Sequence, residues 1–140
     1  MDYKRFNNAI VLRVDRGEEI LEQLKAVCLK ANVKLASVSG IGAINDLTSG
    51  VWDVERKEYF SNHFTGVYEV ANLVGTITTM NGEYYAHIHI SAGDSQGHMV
   101  GGHLNRAVVS ATCEMVIRVI RGQVDRAFDE GVGLNLLRFE

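Results

Sequence analysis

Three histidines stand in a pattern that could do chemistry. His87 and His89 lie two residues apart in Tyr84-Tyr85-Ala86-His87-Ile88-His89-Ile90-Ser91, and His103 follows in Gly101-Gly102-His103-Leu104. Side chains alternate between the faces of a strand, so His87 and His89 share one face while Ala86, Ile88 and Ile90 take the other. Two residues span roughly 6.6 Å along a strand, close enough for two imidazoles to lean onto one cation. A neutral imidazole nitrogen is a good ligand for zinc and its transition-metal neighbours. Two ligands rarely hold a metal, and Gly101-Gly102 offers a route to a third: paired glycines let the backbone turn sharply and approach another strand, returning His103 beside His87 and His89. The spacing predicts a metal site on His87, His89 and His103, with zinc the expected ion.

Three protein ligands leave a fourth position for water or a small ligand, so such a site can bind, sense or catalyse. Glu114, on the polar face of the next strand, is the candidate to orient an imidazole or to act as acid or base in a catalytic version. Against these stand plainer roles. A His-x-His pair is often a half-exposed polar face, Glu114 could pair with Arg118, and Gly101 and Gly102, which are candidates to face the ligand pocket, could equally form a tight turn with no ligand. His98 and His63 have weaker claims to the site.

The elements that must position these groups are mostly strands. Ile20, Leu21, Leu24, Val27, Cys28 and Ala31 recur at steps of three and four, which predicts a helix over about 17–31. Asp15 and Glu18 resemble a capping box at its start, and Asn32 is a left-handed stop. Strands are predicted over 9–14, 33–39, 47–52, 58–65, 68–79, 83–92, 107–121 and 134–139, with turns at Gly40-Ile41-Gly42, Asn81-Gly82 and Gly93-Asp94. The expected fold is α+β: a mostly antiparallel central sheet of about seven strands with one main helix packed on it.

The chain has 140 residues, 46% hydrophobic and 22% charged, which predicts one packed domain over 1–140. Its net charge of −3 gives no basic face for neutralising phosphates, which argues against DNA as a partner. Cys28 and Cys113 have no paired spacing and lie in apolar patterns, as expected of reduced core residues. With no leader-like stretch behind Met1 and no run of about 20 apolar residues, a cytoplasmic location without membrane contact is expected. Gly40-Ile41-Gly42 lacks the third glycine of a dinucleotide fingerprint.

Taken together these stretches resemble the PPC domain, the plants-and-prokaryotes conserved domain, in its prokaryotic single-domain form. The likeness is carried by Asp15-Arg16-Gly17-Glu18-Glu19-Ile20, Ser39-Gly40-Ile41-Gly42-Ala43, His87-Ile88-His89-Ile90-Ser91, Gly101-Gly102-His103-Leu104, Ala111–Ile117 and Gly133-Leu134-Asn135-Leu136-Leu137. The resemblance implies a homotrimer built on an antiparallel sheet with a helix, and metal binding at His87, His89 and His103. The family is often labelled DNA-binding because plant members join the domain to an AT-hook, Arg-Gly-Arg-Pro; this chain has no proline and therefore no such hook. A binding or regulatory module is the function the resemblance implies first, with a metal-dependent enzyme acting on a small molecule as the alternative.

Overall fold

Alternating apolar residues draw most of the chain into strands. The computed structural model describes residues 1–139. Along them run β1 (Asp2–Phe6), β2 (Ala9–Asp15), α1 (Ile20–Lys30), β3 (Ala36–Asp53), β4 (Glu58–Met80), β5 (Glu83–Gly93), β6 (Met99–Val119), β7 (Asp125–Asp129) and β8 (Leu134–Arg138). Six strands form one sheet in the order β1-β2-β6-β3-β4-β5, with every pairing antiparallel. The first residues of β6 pair with β5 as well, so β3, β4, β5 and β6 close on themselves. β7 and β8 make a separate two-stranded hairpin. The α+β expectation holds, with six strands plus a hairpin instead of about seven strands in one sheet.

The strand boundaries depart from the sequence reading where strands run past glycines. The expected strand 33–39 starts only at Ala36 and runs on through 47–52 as one strand, β3, and 58–65 and 68–79 belong to another, β4. Gly40-Ile41-Gly42 is not a turn: it is a place where β3 slips register against β4 and β6 and bends without ending. Glycine is needed there for closeness, since a Cβ on Gly42 would lie 2.4 Å from the Thr112 carbonyl oxygen. Asn81-Gly82 does turn, with φ of 53° and 79°, joining β4 to β5 as a tight hairpin.

The helix is shorter than predicted. Gly17 and Glu18 are tied instead to β6, where the Gly17 amide donates to the Val109 carbonyl and the Val109 amide to the Glu18 carbonyl. Glu19 is the N-cap; its carboxylate accepts from the amides of Glu22 and of Ala107 on β6. Glu18 makes half of the expected capping box by accepting from the Asp15 amide. Asn32 stops the helix with φ of 50°, as expected of a left-handed residue.

Ile20, Leu24, Val27 and Cys28 point from α1 into the core, against Leu12, Val14, Ile88, Cys113 and Met115 among others. The helix therefore packs on β5 and β6, covering the face of the sheet that carries Ile88 and Cys113. Because Leu24 is fully buried and Leu29 is 55% exposed, Leu24→Ala should cost about 3 kcal/mol and Leu29→Ala less than about 1 kcal/mol, read from urea midpoints; equal losses would contradict this packing.

Candidate metal centre

On β5 the alternation is clean. Ile88, Ile90 and Ala92 are buried, whereas His87 and His89 are exposed on the face away from the helix. His103 lies early in β6, directly opposite His89 on one side and Gly50 of β3 on the other. The three rings converge, with centroids 5.0 Å (His87–His89), 5.3 Å (His87–His103) and 5.7 Å (His89–His103) apart. One nitrogen from each ring falls within 4.8 Å of the other two, and the Nε2 atoms of His87 and His89 are 3.2 Å apart.

Gly101 and Gly102 do not form the expected turn. The chain reverses earlier, where the Asp94 amide donates to the His98 carbonyl, the Gly97 amide to the Asp94 carbonyl, and the Asp94 carboxylate accepts from the amides of Gln96 and His98. Gly101 and Gly102 lie inside β6 with φ of 157° and 143°; a Cβ on Gly101 would sit 2.1 Å from the Ile90 carbonyl oxygen and one on Gly102 2.6 Å from that of Gly50. Their role is to let β6 fit between β3 and β5, which places His103.

Glu114 is not brought to the histidines. It lies eleven residues beyond His103, roughly 35 Å along the strand, opposite Arg13 and Ile41, and it borders a different groove with Val11 and Val116. His63 faces Asp46 at 3.4 Å and His98 faces Asp94 at 3.2 Å; neither joins the cluster. Among the described residues, this cluster is the one group of three or more histidine, cysteine or acidic side chains close enough to share a cation. Cys28 and Cys113 are buried free thiols pushed up to about 12 by desolvation, which leaves them inert.

The histidines open into a cleft of about 550 Å³ bordered by Trp52, Tyr59, Tyr85, Arg126, Leu134 and Leu136. The β7–β8 hairpin forms one wall. It is held by Trp52 Nε1 donating to the Val132 carbonyl at 2.9 Å, and by Arg126 Nε donating to Thr78 Oγ1 at 2.9 Å. Tyr59 meets His103 edge-on with centroids 6.4 Å apart. The sequence reading missed these walls. Tyr85 was within reach of it, being two residues before His87 on the same strand face, but nothing in the sequence ties Trp52 or Arg126 to that face.

A small antiparallel-sheet protein with three histidines converging on the open face of its sheet is the class these features define. Residues 1–121 match the model of the Plants and Prokaryotes Conserved (PCC) domain, and the chain belongs to that family. A Bacteroides thetaiotaomicron protein whose name proposes DNA binding is similar at 31% identity and a TM-score of 0.96, over 99% of this chain and 96% of that one. A metal-containing protein of Archaeoglobus fulgidus matches at 28% identity and 0.87, over 99% of both chains. A plant- and prokaryote-conserved (PPC) protein of Pyrococcus horikoshii matches at 29% and 0.85, over 99% of this chain and 94% of that one. No curated protein matches.

Partial desolvation by the cleft depresses the basicity of His87, aided by the neighbouring His103, His89 and Arg126; desolvation and His89 do the same for His103. Both rings therefore titrate below the ordinary value of about 6.5. The unfolded chain then takes up protons first as the pH falls, so these rings remove stability below pH ~6.5. Asp15, Glu18 and Asp94 lie below the usual carboxylate range and lose their contribution only below about pH 4. Chelator-treated protein should thus show a falling urea midpoint between pH 7 and 5, flattened in a His87→Asn/His103→Asn variant; an unchanged slope in the variant would reject this assignment.

Proposed function

We propose that this protein is a metal-binding module of the PCC family in which His87, His89 and His103 hold one zinc ion and the cleft beside them receives a small ligand at the fourth position. The observation that carries the reading is the nitrogen geometry. Two nitrogens of a tetrahedral zinc site stand about 3.3 Å apart, and the Nε2 atoms of His87 and His89 are already 3.2 Å apart. The third nitrogen is within 4.8 Å, a distance that a ring rotation closes. Depressed basicity keeps His87 and His103 neutral near pH 7, as metal ligation requires. Three imidazoles with no thiolate among the cleft residues suit zinc. The Archaeoglobus fulgidus relative is itself described as metal-containing. The bound metal would supply a Lewis-acid position for the donor atom of a ligand.

An enzymatic reading is weaker, because Glu114, its candidate acid or base, borders another groove and the described residues of the cleft include no carboxylate. DNA contact stands outside the proposal: the label belongs to the Bacteroides relative, and this chain carries a net charge of −3 and no proline.

The module is proposed to work as a homotrimer. Val11 and Val116 are register partners on the open sheet face and continue through Ser39 to Val74, itself opposite His89. Val11, Val74 and Val116 are 45%, 41% and 36% exposed, forming an apolar row suited to covering by another copy. A cytoplasmic location fits the two free, buried thiols.

Metal analysis of protein purified without an affinity tag should find about one zinc per chain. His87→Ala, His89→Ala and His103→Ala should each lose it with the far-ultraviolet spectrum preserved. Wild-type protein without bound metal after zinc loading would refute the site. Light scattering should give about three times the 15.5 kDa chain mass, falling toward that of a single chain in Val74→Lys/Val116→Lys; a monomeric wild type would refute the trimer.

A further inference from the structure

Arg126 is a buried cation whose charge the histidine site does not explain. It leaves β7 and is only 8% exposed. Its Nε donates to Thr78 Oγ1 at 2.9 Å and one Nη1 hydrogen to the Asn135 carbonyl at 2.7 Å. A guanidinium has five N–H donors, so these bonds leave most of the fork unused. Among the described residues no carboxylate is in ion-pair contact with it. The neighbouring Asp125 is engaged elsewhere, accepting from the Thr79 hydroxyl and the Gly82 amide.

A buried cation without an anion pays its desolvation cost with no Coulombic return. Here the side chain is also held in place: its guanidinium carbon lies 4.7 Å from the centroid of the Tyr85 ring, and the Tyr85 hydroxyl in turn accepts from Asn135 Nδ2 at 3.4 Å. Arg126 and Tyr85 line the same cleft as the three histidines. The volume of about 550 Å³ suits a small organic molecule. Trp52, Leu134 and Leu136 supply apolar walls, while among the described residues Arg126 is the one lysine or arginine that borders the cleft.

We propose that the cleft is an organic-anion site in which Arg126 receives the carboxylate of a small carboxylic acid whose apolar body lies against Trp52, Leu134 and Leu136. One guanidinium balances one negative charge and offers a planar fork matched to a carboxylate, which favours a carboxylate over a phosphate dianion. The inference deepens the reading of this cleft as a ligand site and rests on it, but uses residues of the β7–β8 hairpin and not the metal ligands.

The test is isothermal titration of 3-phenylpropionate, and of its neutral amide, into zinc-loaded and chelator-stripped protein. The acid should bind about tenfold or more tightly than the amide. Arg126→Met should abolish that preference while zinc content stays at the wild-type level, and Arg126→Lys should keep part of it. Equal binding of acid and amide, no binding of the acid at millimolar concentration, or a preference that survives in Arg126→Met would overturn the proposal. Zinc content is measured separately. An Arg126-dependent preference in a chain that holds no zinc would therefore uphold this inference while the metal reading fell. If Arg126→Met does not fold, the wild-type Arg126 Nε–H resonance decides: a shift with the acid and not the amide supports the site, and no shift overturns it.

Discussion

β6 passes between β3 and β5 at backbone contact distance, and the histidine face depends on that approach. Where Gly102 meets the Gly50 carbonyl and Gly101 the Ile90 carbonyl, there is no room for a side chain. With glycine at both positions the hydrogen-bonding groups of β6 reach β3 and β5 together, and His103 is set directly opposite His89. A methyl group at either position would push the strands apart. His103 would then be moved from its place opposite His89.

The sheet has two faces with different tasks. One is sealed by α1 through Ile20, Leu24, Val27 and Cys28, which supplies the burial that holds the domain together. The other is free of the helix, and along it an apolar row from Val11 to Val74 leads to His89. Self-association on that row and ligand capture in the cleft would therefore be neighbours. The β7–β8 hairpin encloses the site from the remaining side, held by the Trp52, Thr78 and Thr79 bonds. It lies beyond residues 1–121, the part matched to the family. The histidines lie within the residues matched to the family model and Arg126 beyond them, although the structural relatives cover 99% of this chain, the hairpin included.

The electrostatics of the cleft are uneven. His87 and His103 are held toward their neutral forms by desolvation and by neighbouring rings, His103 acting on His87 and His89 on both, whereas Arg126 stays cationic without a carboxylate partner among the described residues. Neutral imidazoles favour a metal, and an unpaired guanidinium favours an anion. A site with both can grip a ligand at two points, which fixes its orientation as well as its affinity.

Local pattern by itself determined the periodic features. The period of two put His87 and His89 on one face, the steps of three and four found the helix, and Asn81-Gly82 marked its hairpin, because each of these depends on residues close in the chain. Tertiary structure decided whatever depends on distant partners. Gly40-Ile41-Gly42 and Gly101-Gly102 look like turns, yet they are places inside strands where another backbone comes too near for a side chain. Glu114 shares a strand with His103 but serves another groove, since a long strand carries its residues far apart. The short strands β1 and β7 escaped because they lack a buried alternation of their own. The histidines were therefore legible as a cluster from their spacing and the glycines before His103. The cleft around them was not, because Trp52, Tyr59 and Arg126 reach it only through strand register and the packing of the last hairpin.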